Sequence, residues 1–176
     1  MAERYKTYEG GLFFVTLTVV GWIDVFTRRE YNDLLIKNLN YCIAHKGLRV
    51  YAYCIMPSHV HMIAEVQEGY LTALLRDFKS YTAKMLIESI KQHPEESRRE
   101  WLPYMFEYYG KYNRHNSQYQ FWIQNNHPID LVNNQFIAQK VAYIHENPVK
   151  AGFVNESQNW TYSSANPERM LNLSEW

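Results

Sequence analysis

Two runs of strand-forming residues, LRVYAYCIM at 48–56 and HVHMIAEV at 59–66, meet across Pro57-Ser58. β-branched and aromatic residues on both sides of a short proline turn predict an antiparallel hairpin. Its second strand carries the tighter constraint. His59 and His61 are separated only by Val60, and alternate side chains of a strand share a face, so both imidazoles project together while Val60 and Met62 point the other way. Taken alone, the pattern leaves two readings open: a polar strand face, or two ligands of a metal site.

The remaining elements set the hairpin in a sheet. LFFVTLTVV at 12–20 follows Gly10-Gly11 and predicts a first strand. Thr27, Arg28, Arg29 and Glu30 have capping-box spacing and open a helix with the apolar stripe Leu35, Leu39, Cys42, Ile43, ended by Gly47. A longer helix is predicted from about Leu71 to Lys91, with Leu74, Phe78, Tyr81 and Met85 on its buried side. Residues 92–117 break the pattern with mixed charges, aromatics and prolines, and read as an insertion that is in part helical. QYQFWIQ at 118–124 predicts a further strand, NNHPIDL a loop, and a last helix starts near Asn134 and is bounded by Pro148 and Gly152.

The order β-α-β-β-α-β-α predicts a single α+β domain over 1–176: a ferredoxin-like antiparallel sheet (split βαβ) with helices on one face and a C-terminal helix. A chain of 176 residues buries a substantial core, and 47% hydrophobic with 20% charged residues is ordinary for a soluble globular protein. This fold hosts many activities, so function has to be argued from a site.

Composition narrows the partners. Aromatics reach 16%, with 15 tyrosines, which serve equally as core volume or as surfaces for unpaired bases. The 18 basic residues are balanced by 18 acidic ones, so any contact with nucleic acid must come from local patches. Cys42 and Cys54 lack metal or redox spacing and read as free thiols. MAERYKTYEG has no signal-peptide character and no apolar run reaches membrane length, so a cytoplasmic protein without a membrane partner is expected.

Two histidines are too few for a metal, and the last helix is the place to seek more. Ile137, Val141 and Ile144 form its apolar stripe, whereas Gln139, Tyr143 and Asn147 fall on a different face. Tyr143 is therefore more than core filling, and Asn147, one turn on, offers a carbonyl oxygen. Tyr81 is a rival nucleophile but belongs to the predicted buried stripe. Among further histidines, His127 is the reserve ligand; His115 is another candidate, and His145 sits on another side of its helix.

The pairing of AYCIMPSHVHM with a later YIHENPVKAGFV resembles the single-tyrosine HUH transposases, in particular their REP-associated tyrosine transposase branch, which is similar to insertion-sequence transposases. The likeness runs from about residue 12 to the WTYSS at 160–164. It implies that His59 and His61 bind a divalent metal, Mg²⁺ or Mn²⁺, that Asn147 is a third ligand (often Gln in insertion-sequence relatives), and that Tyr143 is the nucleophile. Imidazole ligands make Mn²⁺ comfortable on softness grounds. The activity implied is DNA transposition chemistry: nicking and rejoining single-stranded DNA near a hairpin, REP-like or an insertion-sequence end, through a 5′-phosphotyrosine, by a monomer or homodimer.

Three departures stand out: Ser58 where the family commonly has Asn, the long segment 92–117, and the neutral charge. Two other classes compete. One is a domesticated module that binds a hairpin without cutting; the other is a metal hydrolase, which needs more ligands. Expected phosphate contacts are Arg76, Lys79 and Lys84 on the exposed side of the second helix, with Lys111 and Arg114. Tyr112, Tyr119 and Trp122 are candidates to stack on bases. The basic residues of ESRREW and KYNRH are otherwise expected to be solvated surface.

Overall fold

Strands β1 (Phe13–Thr18), β2 (Leu48–Ile55) and β3 (His59–Val66) form where β-branched and aromatic residues are densest, as the sequence predicts. With a two-residue β4 (Ile129–Asp130) they make one sheet in the order β2-β3-β1-β4, with every neighbouring pair antiparallel. The protein is described by a computed structural model over residues 7–113 and 118–176. Four helices connect and cover the strands: α1 (Arg29–His45), α2 (Leu71–Gln92), α3 (Trp101–Lys111) and α4 (Asn134–Lys150).

Strand alternation divides the molecule into two layers of packing. Phe13, Val15 and Leu17 of β1, with Val60, Met62 and Ala64 of β3, meet Tyr31, Leu35 and Leu39 of α1, Leu75, Phe78 and Leu86 of α2, and Leu102 and Phe106 of α3. The opposite face carries Phe14, Ala52, Cys54 and Ile63, which pack with Ile144 and the partly buried Phe136, Ile137 and Val141 of α4. Three helices thus share one face and α4 alone crosses the other. The predicted stripe of α4 is the one it buries, and full burial of Ile144 stabilises this docking by about 2 kcal/mol.

The hairpin closes as expected. Met56 N–H donates to the His59 carbonyl at 2.8 Å, and the turn carbonyls of Pro57 and Ser58 accept from Phe26 and Val19 at 2.8 and 2.9 Å. The C-terminal WTYSS segment lies against β2: Ile55 N–H donates to Tyr162 O at 2.8 Å, Ser164 N–H to Tyr53 O at 2.9 Å, and Trp160 Nε1–H to Ile55 O at 2.9 Å.

Several sequence expectations are corrected. The helix at 29–45 forms, but its capping box does not: Arg28 occupies the N-cap with no side-chain bond, and Thr27 Oγ1 instead accepts from Arg98. The buried stripe of α2 is rotated by about one residue to Leu71, Leu75, Phe78, Thr82, Leu86 and Ile90. Tyr81 and Met85 therefore face outward, Tyr81 being 56% exposed, because the larger run of aliphatics beside them wins the core. Pro148 sits inside α4 rather than ending it; the chain leaves the helix at Gly152, whose φ of 77° suits glycine.

Segment 118–124 is not a regular strand. It runs beside β1 through single contacts, Val20 N–H to Phe121 O at 2.9 Å, Ile123 N–H to Thr18 O at 2.8 Å and a bridge at Trp122. Regular pairing resumes only at β4, inside the predicted loop, after His127 takes a left-handed φ of 38° ahead of Pro128. Proline has no N–H to give a ladder, and the reversed φ turns the chain, so one strand becomes two pieces.

Within 92–113 Arg99 and Lys111 are exposed, as expected of solvated surface, but Arg98 is not free: it is tied to the buried Glu96. Glu96, 2% exposed, accepts from Arg28 Nε at 3.0 Å, Arg98 Nε at 3.1 Å and the Tyr31 hydroxyl at 3.1 Å. Burial pushes its carboxyl up, but the hydrogen bonds and charge of Arg98 and the Tyr31 hydroxyl outweigh this and hold it at about 2. No helix among the described residues is long and apolar enough to cross a membrane.

Candidate active site

The antiparallel register places Thr18 opposite His59 and Thr16 opposite His61. This puts two hydroxyls and two imidazoles on the sheet face that α4 crosses. Thr16 Oγ1 lies 2.9 Å from His61 Nδ1, and Ser58 Oγ lies 3.1 Å from His59 Nδ1. With each Nδ1 engaged, Nε2 is the nitrogen each ring has left for a metal, and such outer hydrogen bonds fix ring orientation and tautomer. The ring centroids are 4.6 Å apart.

Both rings are held neutral. Burial pushes His61 down to about 3, helped by coupling to the neighbouring His59 and by the charge of Lys140; the ring is only 6% exposed and stacks on Phe14 at 5.4 Å. Burial also lowers His59, with Asp24 opposing. A neutral imidazole presents a lone pair, so the pair fits the donor chemistry of a divalent transition metal. Among the described residues no group of three or more His, Cys, Asp and Glu can hold a metal, so a third protein donor has to be of another kind. An amide oxygen such as that of Asn147 meets this requirement.

Helix α4 brings Tyr143 to the pair. Asn133 caps the helix, its side chain accepting from Phe136 N–H at 2.8 Å, and Ile144 anchors the adjacent face. The Tyr143 ring stands edge-on to His61 at 5.2 Å and to Phe14 at 5.8 Å, and the side chain is 40% exposed. The phenol ring thus lies against the His61 imidazole while staying open to solvent. Asn147 lies one turn further along α4 and is half-buried. His145 is occupied elsewhere: its Nε2 lies 2.8 Å from Ser164 Oγ, which binds the Tyr53 carbonyl at 3.2 Å. That contact links α4 to the WTYSS segment and gives His145 a structural task.

The structure brings His59, His61 and Tyr143 together and separates them from the residues assigned to DNA contacts. Arg76 and Lys84 are exposed on α2, which covers the other face of the sheet; Arg76 pairs with Asp77 at 2.9 Å. Lys79 is not on the exposed side of its helix. It is 8% exposed, and its ammonium donates to Ile123 O at 2.6 Å, Gln124 O at 3.0 Å and Asn126 Oδ1 at 2.7 Å, tying α2 to the irregular strand. Trp122 is 4% exposed, stacked on Phe26 with its Nε1–H on Thr82 Oγ1 at 3.2 Å, so it cannot meet a base. Tyr119 is half-buried and accepts from Lys91 at 3.3 Å; Lys111 is exposed and pairs with Glu107 at 3.1 Å. Arg114 and His115 lie outside the described residues. Tyr81 leaves the contest for a new reason: it is exposed, but on α2.

Four contributors were not singled out for these roles in the sequence. Thr16 was legible as the residue two places from Phe14 and Thr18 on one strand face, once the register was known. Ser58 was noted as a turn residue and as a departure from the family's Asn, not as a partner of His59. Lys140, one turn before Tyr143, places its ammonium 4.7 Å from the Phe14 ring centroid and 5.5 Å from that of Tyr143. Trp22, with a left-handed φ of 55°, sets its ring edge-on to His59 at 5.2 Å; nothing in its sequence context signals that.

A family described as IS200-like transposases matches residues 23–126, more than half of the chain, a span that holds both histidines and stops short of α4. A Haemophilus influenzae protein named as a REP-associated tyrosine transposase is 23% identical over 159 residues, covering 89% of this chain and 80% of its own. A solved structure titled as a REP-associated tyrosine transposase bound to a REP hairpin matches with a TM-score of 0.62 at 19% identity, over 93% of this chain and 82% of that one. At that identity the likeness concerns the fold.

Proposed function

Because the chain belongs to the IS200-like transposase family, we propose that it cleaves and rejoins single-stranded DNA beside a hairpin, with Tyr143 as nucleophile. The observation that carries this reading is the Tyr143 ring 5.2 Å from His61, itself 4.6 Å from His59, although Tyr143 lies 82 and 84 positions after them in the chain. The Tyr143 oxygen attacks phosphorus and the bond to the 3′-oxygen breaks. The phenol loses its proton to solvent as the leaving 3′-oxygen gains one, and a 5′-phosphotyrosine results. One phosphodiester is exchanged for another, so a 3′-hydroxyl can later reverse the step without an external energy source.

His59, His61 and Asn147 are the residues that would hold Mg²⁺ or Mn²⁺. Bound there, the ion supplies Lewis-acid stabilisation of charge on the scissile phosphate. Thr16 and Ser58 orient the two imidazoles, and burial keeps them unprotonated at neutral pH. The H. influenzae relative and the hairpin-bound structure support a REP-like hairpin as the DNA partner. A water-activating metal hydrolase is less well supported, since among the described residues no third His, Cys, Asp or Glu joins the pair.

The test is to incubate the protein and its Tyr143→Phe variant with a radiolabelled single-stranded hairpin oligonucleotide and Mn²⁺. A covalent protein–DNA adduct is expected with Tyr143 and none with the variant. Equal cleavage by both overturns the tyrosine mechanism, and binding without an adduct identifies a hairpin-binding module.

A further inference from the structure

Among the described residues, Lys140 has no anionic partner. Its Nζ lies 4.7 Å from the Phe14 ring centroid, 5.4 Å from Phe136 and 5.5 Å from Tyr143. Lys150, near the end of the same helix, is paired with Glu146 at 2.8 Å, whereas no ion pair or hydrogen bond engages Lys140 among the described residues. A lysine usually keeps its head in water and only its stem on apolar surface. Here the side chain is half-buried and the head rests among three rings.

The surroundings point to what is missing. Phe14 lies between Lys140 and His61, touching both, so the ammonium belongs to the same patch as the imidazole pair. The chain as a whole has no net charge, so attraction for a polyanion must be supplied by cations at particular places. An unpaired ammonium one helical turn from a nucleophilic phenol is such a place.

We propose that Lys140 is the phosphate-holding cation of this site, its ammonium binding a non-bridging oxygen of the phosphate that Tyr143 attacks. The inference rests on the reading of Tyr143 as nucleophile. Lys140 sits at i and Tyr143 at i+3 on one helix, so the contact that positions the phosphate and the group that attacks it are carried by one rigid element. After cleavage the same ammonium holds the 5′-phosphotyrosine in place until a 3′-hydroxyl returns.

The experiment is a binding cycle in the non-cleaving Tyr143→Phe background. Lys140→Met, which keeps the stem on the rings, and Lys140→Arg are measured by fluorescence anisotropy. The probes are a hairpin oligonucleotide and the same oligonucleotide with an uncharged methylphosphonate at the scissile position. Lys140→Met is expected to weaken binding of the normal strand by about 10- to 100-fold, the value of one hydrogen bond to a charged group. It should lower the salt slope by about 1. On the methylphosphonate strand it should add no further loss, and Lys140→Arg should restore most of the affinity. Equal losses on both strands, or no loss on either, overturn the proposal. Adduct formation by the protein carrying Tyr143 is scored separately. Its failure would remove the tyrosine mechanism, while the cycle still reports whether Lys140 holds that phosphate.

Discussion

One strand, β3, shows two designs on its two sides. Val60, Met62 and Ala64 face α1, α2 and α3 and are fully enclosed by aliphatic and aromatic side chains. His59 and His61, their immediate neighbours, face α4 across a thinner layer, with hydroxyls from Thr16 and Ser58 and open access at Tyr143. The first side stabilises the fold through apolar area. The second side costs desolvation of two imidazoles and returns a pair of oriented lone pairs. A small apolar anchor that includes Phe14, Ile63 and Ile144 holds α4 there, with the Tyr143 side chain left 40% exposed.

This division is broken or sharpened most directly by substituting adjacent residues. His61→Ala is expected to abolish metal-dependent adduct formation while the hairpin is still bound and the fold retained. Met62→Ala is expected to lose about 2–5 kcal/mol of stability in a denaturant titration, yet form adduct at the normal rate per folded molecule. If His61→Ala unfolds the protein, or Met62→Ala leaves stability unchanged, the two faces are not separable in this way.

The helix-covered side also contains a buried carboxylate, Glu96, and it sets an acid limit. Its folded value of about 2 lies below the ordinary 4.5, so its contribution is complete above pH about 4.5 and is lost as the pH falls through about 2. About 3 kcal/mol should disappear across that window. Glu96→Gln should remove this part of the pH dependence, measured by thermal unfolding at stepped pH. An unchanged acid profile would mean that the Arg28–Glu96–Arg98 cluster does not carry it.

The smallest effect tests the site's supporting layer. Thr16→Val keeps the shape of the strand face but removes the hydroxyl at His61 Nδ1. Mn²⁺ affinity is expected to fall about 10- to 100-fold with stability nearly unchanged, measured by calorimetric titration. Undiminished metal affinity would show that ring orientation is set by packing on Phe14 instead.

The readable parts of this protein were those governed by short periods. The hairpin across Pro57-Ser58, the shared face of His59 and His61, and the apolar stripe of α4 all follow from alternation or helical spacing and appear where expected. The stripe of α2 was misplaced because a 22-residue helix offers two adjacent apolar rows, and only packing against α1 and the sheet selects the one through Leu75 and Leu86. The same rotation buries Lys79, which local pattern assigns to solvent. Trp122 was misread because an aromatic in a polar stretch looks exposed until the irregular strand folds it onto Phe26. Arg98, expected at the solvated surface, is instead drawn to the buried Glu96, whose other partners, Arg28 and Tyr31, lie 65 or more positions away in the chain.

By itself the sequence determined the hairpin, the common face of its two histidines, and the residue types that identify the family. Those are decided by backbone geometry and by residues close together in the chain. Only the tertiary structure decided that α4 crosses the histidine face, that Thr16 meets His61, and that the Lys140 ammonium stands among the rings of Phe14, Phe136 and Tyr143. Strand register and helix docking are settled by how whole apolar faces fit together. Their outcome is therefore a property of the packed molecule and of no single stretch within it.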